Sequence, residues 1–310
     1  MKPFSRCVSV AATFFAVAIA ARLAGAAVFT TLDFPGGQNT NVAGFSGGKI
    51  VGYYTDSSSG LNHGFVYDGS TYTSFDHPSG DQGTELHGID GNTLLGFYNN
   101  STAFLYDGST YTDIGGPPGA LIARVSGIHG NQFAGFYVDS GSYQFHGFVY
   151  NGSNYVAIDD PAATDGSFAT GVSDTQVVGN YFTDPTTTHG FTFDGANYTT
   201  VDFPGAVQTS VLGVSGNLLY GSYNNNDTIR HGFVKTDTAY ISVDDPSASG
   251  DTTVNGVTLN DDTSLTVVGT YTDDLGAQHG YVMTAVPEPS GVVLLVPAAI
   301  TMLFYGRRRA

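Results

Sequence analysis

A ten-residue phrase, HGFVYDGSTY at 63–72, returns along this chain as TAFLYDGSTY at 102, HGFVYNGSNY at 146, HGFTFDGANY at 189, HGFVKTDTAY at 231 and a shortened HGYVM at 279. The copies begin 39 to 48 residues apart. A period of that size means that one supersecondary unit stacks on copies of itself, so the unit and the ends of the series decide the fold.

Aligned on the phrase, the chain contains six units, each with four β-like stretches. The first closes on a glycine and an apolar residue, as in Gly44-Phe45, Gly88-Ile89, Gly127-Ile128, Gly171-Val172, Gly213-Val214 and Gly256-Val257. The second is a VGYY-like stretch, the third is the phrase itself, and the fourth runs from a tyrosine into Asp and Pro, as in YTSFDHP at 72. Asp68-Gly69, Asp107-Gly108, Asn151-Gly152 and Asp194-Gly195 separate the third and fourth stretches. Such pairs accept positive φ and signal tight hairpins. Each unit therefore reads as a four-stranded antiparallel meander, and the fold class as all-β.

Blades of this length predict a six-bladed β-propeller. The chain ends support closure into a ring. The sixth unit lacks a fourth strand after HGYVM, while VFTTLDFPG at 28–36 is a fourth strand with no unit before it. Lending that N-terminal strand to the last blade would hide both edges. An open β-solenoid is the competing arrangement, and it would need capping units that the sequence lacks.

Composition agrees with a turn-rich aromatic β protein: 42 Gly, 19 Tyr and 21 Phe, with no Trp. Between Val28 and Ala285 there are only four basic residues, Lys49, Arg124, Arg230 and Lys235, against 26 acidic ones. A surface this acidic disfavours nucleic acid and anionic lipid, and repels acidic polysaccharides unless cations intervene. The single cysteine, Cys7, precedes the repeats and excludes a disulfide framework or a cysteine zinc site within them.

Residues 1–27 have a basic start, an apolar stretch from Val8 to Ala21, and small residues at Ala24 and Ala26. This order predicts a secretory signal peptide that signal peptidase removes. The repeats then occupy 28–285. In 286–310, Pro287, Glu288 and Pro289 precede an apolar run of 15 residues and the cluster Arg307, Arg308, Arg309. The run is short for a self-sufficient transmembrane helix, yet it suits a transient membrane anchor with its basic end in the cytoplasm.

Two family resemblances rest on these motifs. The recurring HGF, Gly-apolar and VGYY stretches over residues 28–284 resemble the HAF family of extracellular repeats. That resemblance implies an exported protein and carries over no catalytic residue. The order of Pro-Glu-Pro, apolar stretch and arginine cluster resembles the PEP-CTERM sorting signal. It implies a Gram-negative cell in which an exosortase processes the tail and delivers the protein to the cell surface or extracellular matrix, in systems associated with exopolysaccharide and biofilm.

Three sets of residues are candidates for chemistry. His63, His146, His189, His231 and His279 recur at one place in five units. Equivalent residues of separate blades lie far apart unless they line the axis, so a structural role is expected, with each histidine bonded to a buried turn. Asp33, Asp76, Asp113, Asp159, Asp202 and Asp244 end the fourth stretches. Hard cations such as Ca²⁺ favour carboxylate oxygens, whereas Asp before Pro also forms an ordinary turn through backbone amides. No other cofactor is indicated.

The third set breaks the repeat: His77, Asp81, Glu85 and His87 fall within eleven positions of unit two, and Glu85 is the only glutamate of the repeat region. The two-residue period of a strand puts Glu85 and His87 on one face. They are the candidate catalytic pair should the protein be a polysaccharide hydrolase or lyase. The favoured expectation is a non-enzymatic surface or matrix module that binds exopolysaccharide or another matrix component.

Overall fold

The aromatic residue of the repeated phrase anchors the packing. Phe65, Phe104, Phe148, Phe191, Phe233 and Tyr281 are each fully buried, at 0% exposure. Full burial of such a ring contributes roughly 1.5–3 kcal/mol from the hydrophobic effect. The second-strand glycine makes room for it: a Cβ on Gly52 or Gly135 would collide with the inner-strand carbonyl of Asn41 or Arg124, and would crowd Phe65 or Phe148.

The computed structural model describes residues 27–285. The expected signal peptide, apart from Ala27, and the sorting tail with Pro287, Glu288, Pro289, Arg307, Arg308 and Arg309 lie outside these residues. The described chain forms six four-stranded antiparallel sheets arranged as a six-bladed β-propeller. Blade one comprises an inner strand Gly37–Ser46, a second strand Lys49–Asp56, a third strand Asn62–Tyr67 and an outer strand Tyr72–Phe75. Blades two to five repeat that order, with inner strands Thr84–Asp90, Ala120–His129, Ser167–Val172 and Gln208–Ser215.

Blade six takes Thr252–Leu259, Leu265–Thr272 and Gln278–Ala285 from the C-terminal side. Its outer strand is Val28–Leu32, paired antiparallel from Val28 opposite Thr284 to Leu32 opposite Gly280. The orphan strand fills the vacancy, and the closed ring replaces the open solenoid. Apolar residues bind blade to blade: Val51 of blade one packs with Leu86, Leu94 and Phe104 of blade two, and Leu32 and Val268 of blade six pack with Val42 and Phe65 of blade one.

Every inner strand skips one residue of its ladder immediately before the repeat glycine. The extra residues are Ala43, His87, Ser126, Thr170, Leu212 and Asn255. A bulge bends its strand and re-aims the extra side chain. All six extra residues line a central cavity of about 560 Å³. In a meander, the loops between second and third strands share one face of the ring with the loops between blades. That face is called the upper face below; the tight hairpins occupy the lower one.

Candidate functional site

The repeated histidines begin the third strands, and the repeated aspartates follow the outer strands. Both therefore reach the upper face. In five blades the imidazole Nδ1–H donates to the aspartate of the same blade: His63 to Asp76 at 2.8 Å, and His146 to Asp159, His189 to Asp202, His231 to Asp244 and His279 to Asp33 at 2.9 Å. Each ring also stacks on a second-strand tyrosine, with centroids 5.1–5.6 Å apart. The histidine partner is thus a side chain instead of the buried turn expected from sequence. The aspartates bond mainly sideways to imidazole; Asp159 alone among them adds a backbone amide, that of Gly147 at 3.2 Å.

These carboxylates stand one per blade, and among the described residues no group of three or more His, Cys, Asp or Glu is placed to hold a metal ion. Blade two departs from the pattern. Thr102 replaces the histidine, and Asp113 accepts from the Tyr98 hydroxyl at 3.2 Å. His77 lies flat on Tyr98, 3.9 Å away at 8°, as Phe34 lies on Tyr54 and Phe203 on Tyr223 at 3.7 Å. His77 is therefore an aromatic packing residue, apart from Glu85 and His87.

Two of the dyads are extended into triads. His231 Nε2 faces Asp227 at 3.2 Å and His279 Nε2 faces Asp273 at 3.3 Å. Partial burial pushes both pKa values down, but the hydrogen bonds to the flanking carboxylates outweigh it and the net shift is upward. Asp56, Asp139, Asp184 and Asp273, at the loops between second and third strands, accept from amides in their own turns. The Thr186 hydroxyl and neighbouring bonds hold Asp184 at about 2.

Glu85 and His87 do meet. His87 Nε2–H donates to Glu85 Oε2 at 2.9 Å, while Asn62 donates to Glu85 Oε1 at 2.6 Å. The His87 and Asn62 bonds and the nearby Arg124 guanidinium outweigh partial burial and hold Glu85 below the usual carboxylate range. An ionised Glu85 fixes the imidazole proton on Nε2 and leaves Nδ1 as an acceptor. The imidazole lies between the faces of Tyr53, 5.6 Å away at 25°, and the edge of Phe97, 5.1 Å away at 82°. Burial first, and then the Glu85 charge, push the Tyr53 hydroxyl up to about 12, so it stays a neutral donor.

Arg124 completes the group. Its guanidinium lies 5.5 Å over the Phe97 ring and makes one long bond, 3.5 Å, to the Asn100 carbonyl. Asn41, Tyr53, His87, Phe97, Arg124 and Phe136 all border the central cavity. Sequence reasoning found Glu85 and His87 and left Arg124 without a partner. The signal was present: Asn41, Glu85 and Arg124 each stand three residues before the repeat glycine. Equivalent inner-strand positions in consecutive blades are neighbours around the axis. Asp81 has no part in the group. At the lower mouth His129 contacts Asp174 at 3.1 Å and Asp90 at 3.8 Å.

The upper mouth of the cavity thus offers aromatic faces beside fixed donors and acceptors, on a six-bladed propeller. Similar folds are found in AofleA from Arthrobotrys oligospora, with TM-score 0.51 and 9% identity over 84% of this chain and 90% of that one. A gluconolactonase from Xanthomonas campestris gives TM-score 0.50 and 12% identity over 86% and 96%. The fucose-binding lectin of Aleuria aurantia gives 0.48 and 11% over 84% and 99%. For the first two, at such identities, the likeness is one of fold. No protein-family model and no curated protein matches the chain.

Proposed function

We propose that this chain is an exported, non-enzymatic glycan-binding propeller of the cell surface or extracellular matrix. The observation that carries the reading is the polar and aromatic group at the upper mouth: Arg124 and the Tyr53 hydroxyl donate, His87 Nδ1 accepts, and the half-buried Phe136 presents apolar surface over a floor that includes buried Phe97. Sugars need this mixture of hydroxyl partners and apolar faces. With Glu85 opposing Arg124, the group carries little net charge and suits a neutral saccharide.

Two features weigh against hydrolysis by Glu85 and His87. A glycosidase general acid needs a raised pKa and a second carboxylate roughly 5–10 Å away. Glu85 is shifted downward, and the one carboxylate on the cavity wall among the described residues is Asp90, at the lower mouth. The leader, the Pro-Glu-Pro tail and the arginine cluster support delivery through signal peptidase and an exosortase, with the tail as a transient anchor.

Affinity electrophoresis of the purified full-length protein in gels containing neutral polysaccharides, with and without Ca²⁺, tests the binding reading. Retention should appear without Ca²⁺ and fall about tenfold in Arg124→Ala and His87→Ala. Absence of retention on every polysaccharide, or new reducing ends that vanish in Glu85→Ala, overturns it. Fractionation of producing cells tests the export reading. Replacement of Arg307, Arg308 and Arg309 by Ala should shift the protein from surface to cell-associated fractions.

A further inference from the structure

From Arg124 the upper face runs outward over blades three and four as an aromatic strip. Arg124 lies opposite Phe136 across the ladder. The Phe136 ring stacks on Phe168 at 4.2 Å, and Phe168 meets the edges of Phe145 at 5.2 Å and Phe182 at 4.9 Å. At the upper ends of blade three's strands and in the loop between its second and third strands, Leu121, Ile122, Tyr143 and Phe145 are 54%, 59%, 73% and 40% exposed. Four of the ten large apolar side chains exposed among the described residues therefore lie on the upper side of blade three.

Tyr143 gives the strip a mark of selection for something other than stability. It has φ +60°, a left-handed conformation that costs a bulky L-residue roughly 1–2 kcal/mol. The equivalent turn of blade one is closed by Gly60 at φ +72° through the same bond: Gly60 N–H donates to Asp56 O at 2.8 Å, and Tyr143 N–H donates to Asp139 O at 3.0 Å. Asp139 clamps the Tyr143 turn by accepting from the Gly141 and Ser142 amides. Blade three thus holds an exposed ring where the backbone calls for glycine.

Resting on the glycan reading of the mouth, we infer that this strip binds successive sugar rings of a neutral polysaccharide chain whose end or kink enters the mouth beside Arg124. Pyranose rings present apolar C–H faces that stack on aromatic rings, and the strip is continuous with the mouth. The acidic repeat region, with 26 acidic and four basic residues, repels both a second copy of itself and an anionic chain.

Titration calorimetry of the full-length protein with cello-, laminari- and malto-oligosaccharides of two to seven residues tests the inference. Affinity for one series should rise about tenfold or more with length and then level off. Tyr143→Gly and Phe145→Ser should abolish that rise while leaving disaccharide binding intact, and Tyr143→Gly should keep or raise the melting temperature. Arg124→Ala should weaken every length.

Disaccharide binding with no gain from length, or a gain that survives Tyr143→Gly, overturns the strip and leaves the mouth reading standing. Long chains bound through Tyr143 with no effect of Arg124→Ala support the strip and overturn the mouth. Failure of all three series at every length overturns both. A concentration-dependent dimer that Phe145→Ser dissociates, seen by sedimentation, assigns the strip to a second copy and overturns the inference.

Discussion

Blades one to three and blades four to six share one backbone and use it differently at the axis. In the first half, Asn41, Glu85 and Arg124 face Tyr53, Phe97 and Phe136 across the inner ladder. In the second, Phe168, Ser210 and Thr253 face Asn180, Ser222 and Thr270. Asn180 is buried and clips the next blade, accepting from Val211 N at 2.7 Å and donating to Val211 O at 3.1 Å. Thr270 does the same to Val42, at 3.2 and 3.3 Å, across the junction where the ring closes. In the second half Asn180 and Thr270 hold blades together, whereas the first half places Arg124, Tyr53 and Phe136 on the wall of the central cavity. Binding at the mouth is therefore expected from the first half, with Phe168 of blade four as its neighbour in the strip, and stiffness from the cross-blade bonds of the second.

Removing residues 28–32 should have the largest effect, because it unpairs Gln278–Ala285 and opens the clipped half at its seam. Loss of a cooperative thermal transition, with aggregation in sedimentation runs, is the expected result; a monomer with an unchanged transition would deny the strand its closing role. Asn180→Ala should follow, since it leaves the buried Val211 amide without a partner, while the Val211 carbonyl keeps only the Thr170 hydroxyl at 2.8 Å. With one orphaned donor, the loss in chemical denaturation should reach about 1–3 kcal/mol. Tyr53→Phe, in the other half, should change stability by less than about 1 kcal/mol while weakening glycan retention several-fold. Equal stability losses in the two variants would erase the contrast.

A smaller effect should follow pH. His279 and His231 have raised folded-state values, so the stability they confer is full below the unfolded histidine value near 6.5 and fades as pH rises through the higher folded value. Asp273, lowered by the Ala277 amide and then by its bond to His279, gives stability that is present above about 3.9 and is lost as pH falls through its lower folded value. Melting temperature should therefore peak between roughly pH 4 and 6.5, and the decline on the alkaline side should shrink in His279→Gln. Glu85→Gln should produce the subtlest change. Glycan retention by the unaltered protein should decline as pH falls through the lowered Glu85 value, and the variant should lack that decline, because its imidazole no longer has an ionisable carboxylate to orient it.

Much of this molecule was legible along the chain because a propeller repeats its instructions. The HGF phrase as a third strand, the Asp-Gly hairpins after it and the vacancy matched by VFTTLDFPG are local patterns, and each predicts its own place in the ring. The His-Asp dyads were half legible. His63 and Asp76 were both marked by recurrence, yet their contact depends on the third and outer strands lying side by side, which recurrence alone does not give. Grouping His77 with Glu85 by proximity failed for a related reason: His77 turns onto Tyr98 as a substitute for phenylalanine, whereas Arg124, 39 residues from Glu85, comes beside it around the axis.

The sequence by itself determined the number of blades, their four-stranded meander and the strand that closes the ring, since these follow from period, turn chemistry and apolar pattern. Only the tertiary structure decided which of the repeat-breaking residues act together. The inner-strand bulges aim one side chain per blade at the axis, and ring closure makes neighbours of residues a whole blade apart. Glu85, His87 and Arg124 become one mouth, and Tyr143 with Phe136, Phe145 and Phe168 becomes one strip, because distance around a propeller is set by blade order instead of chain distance.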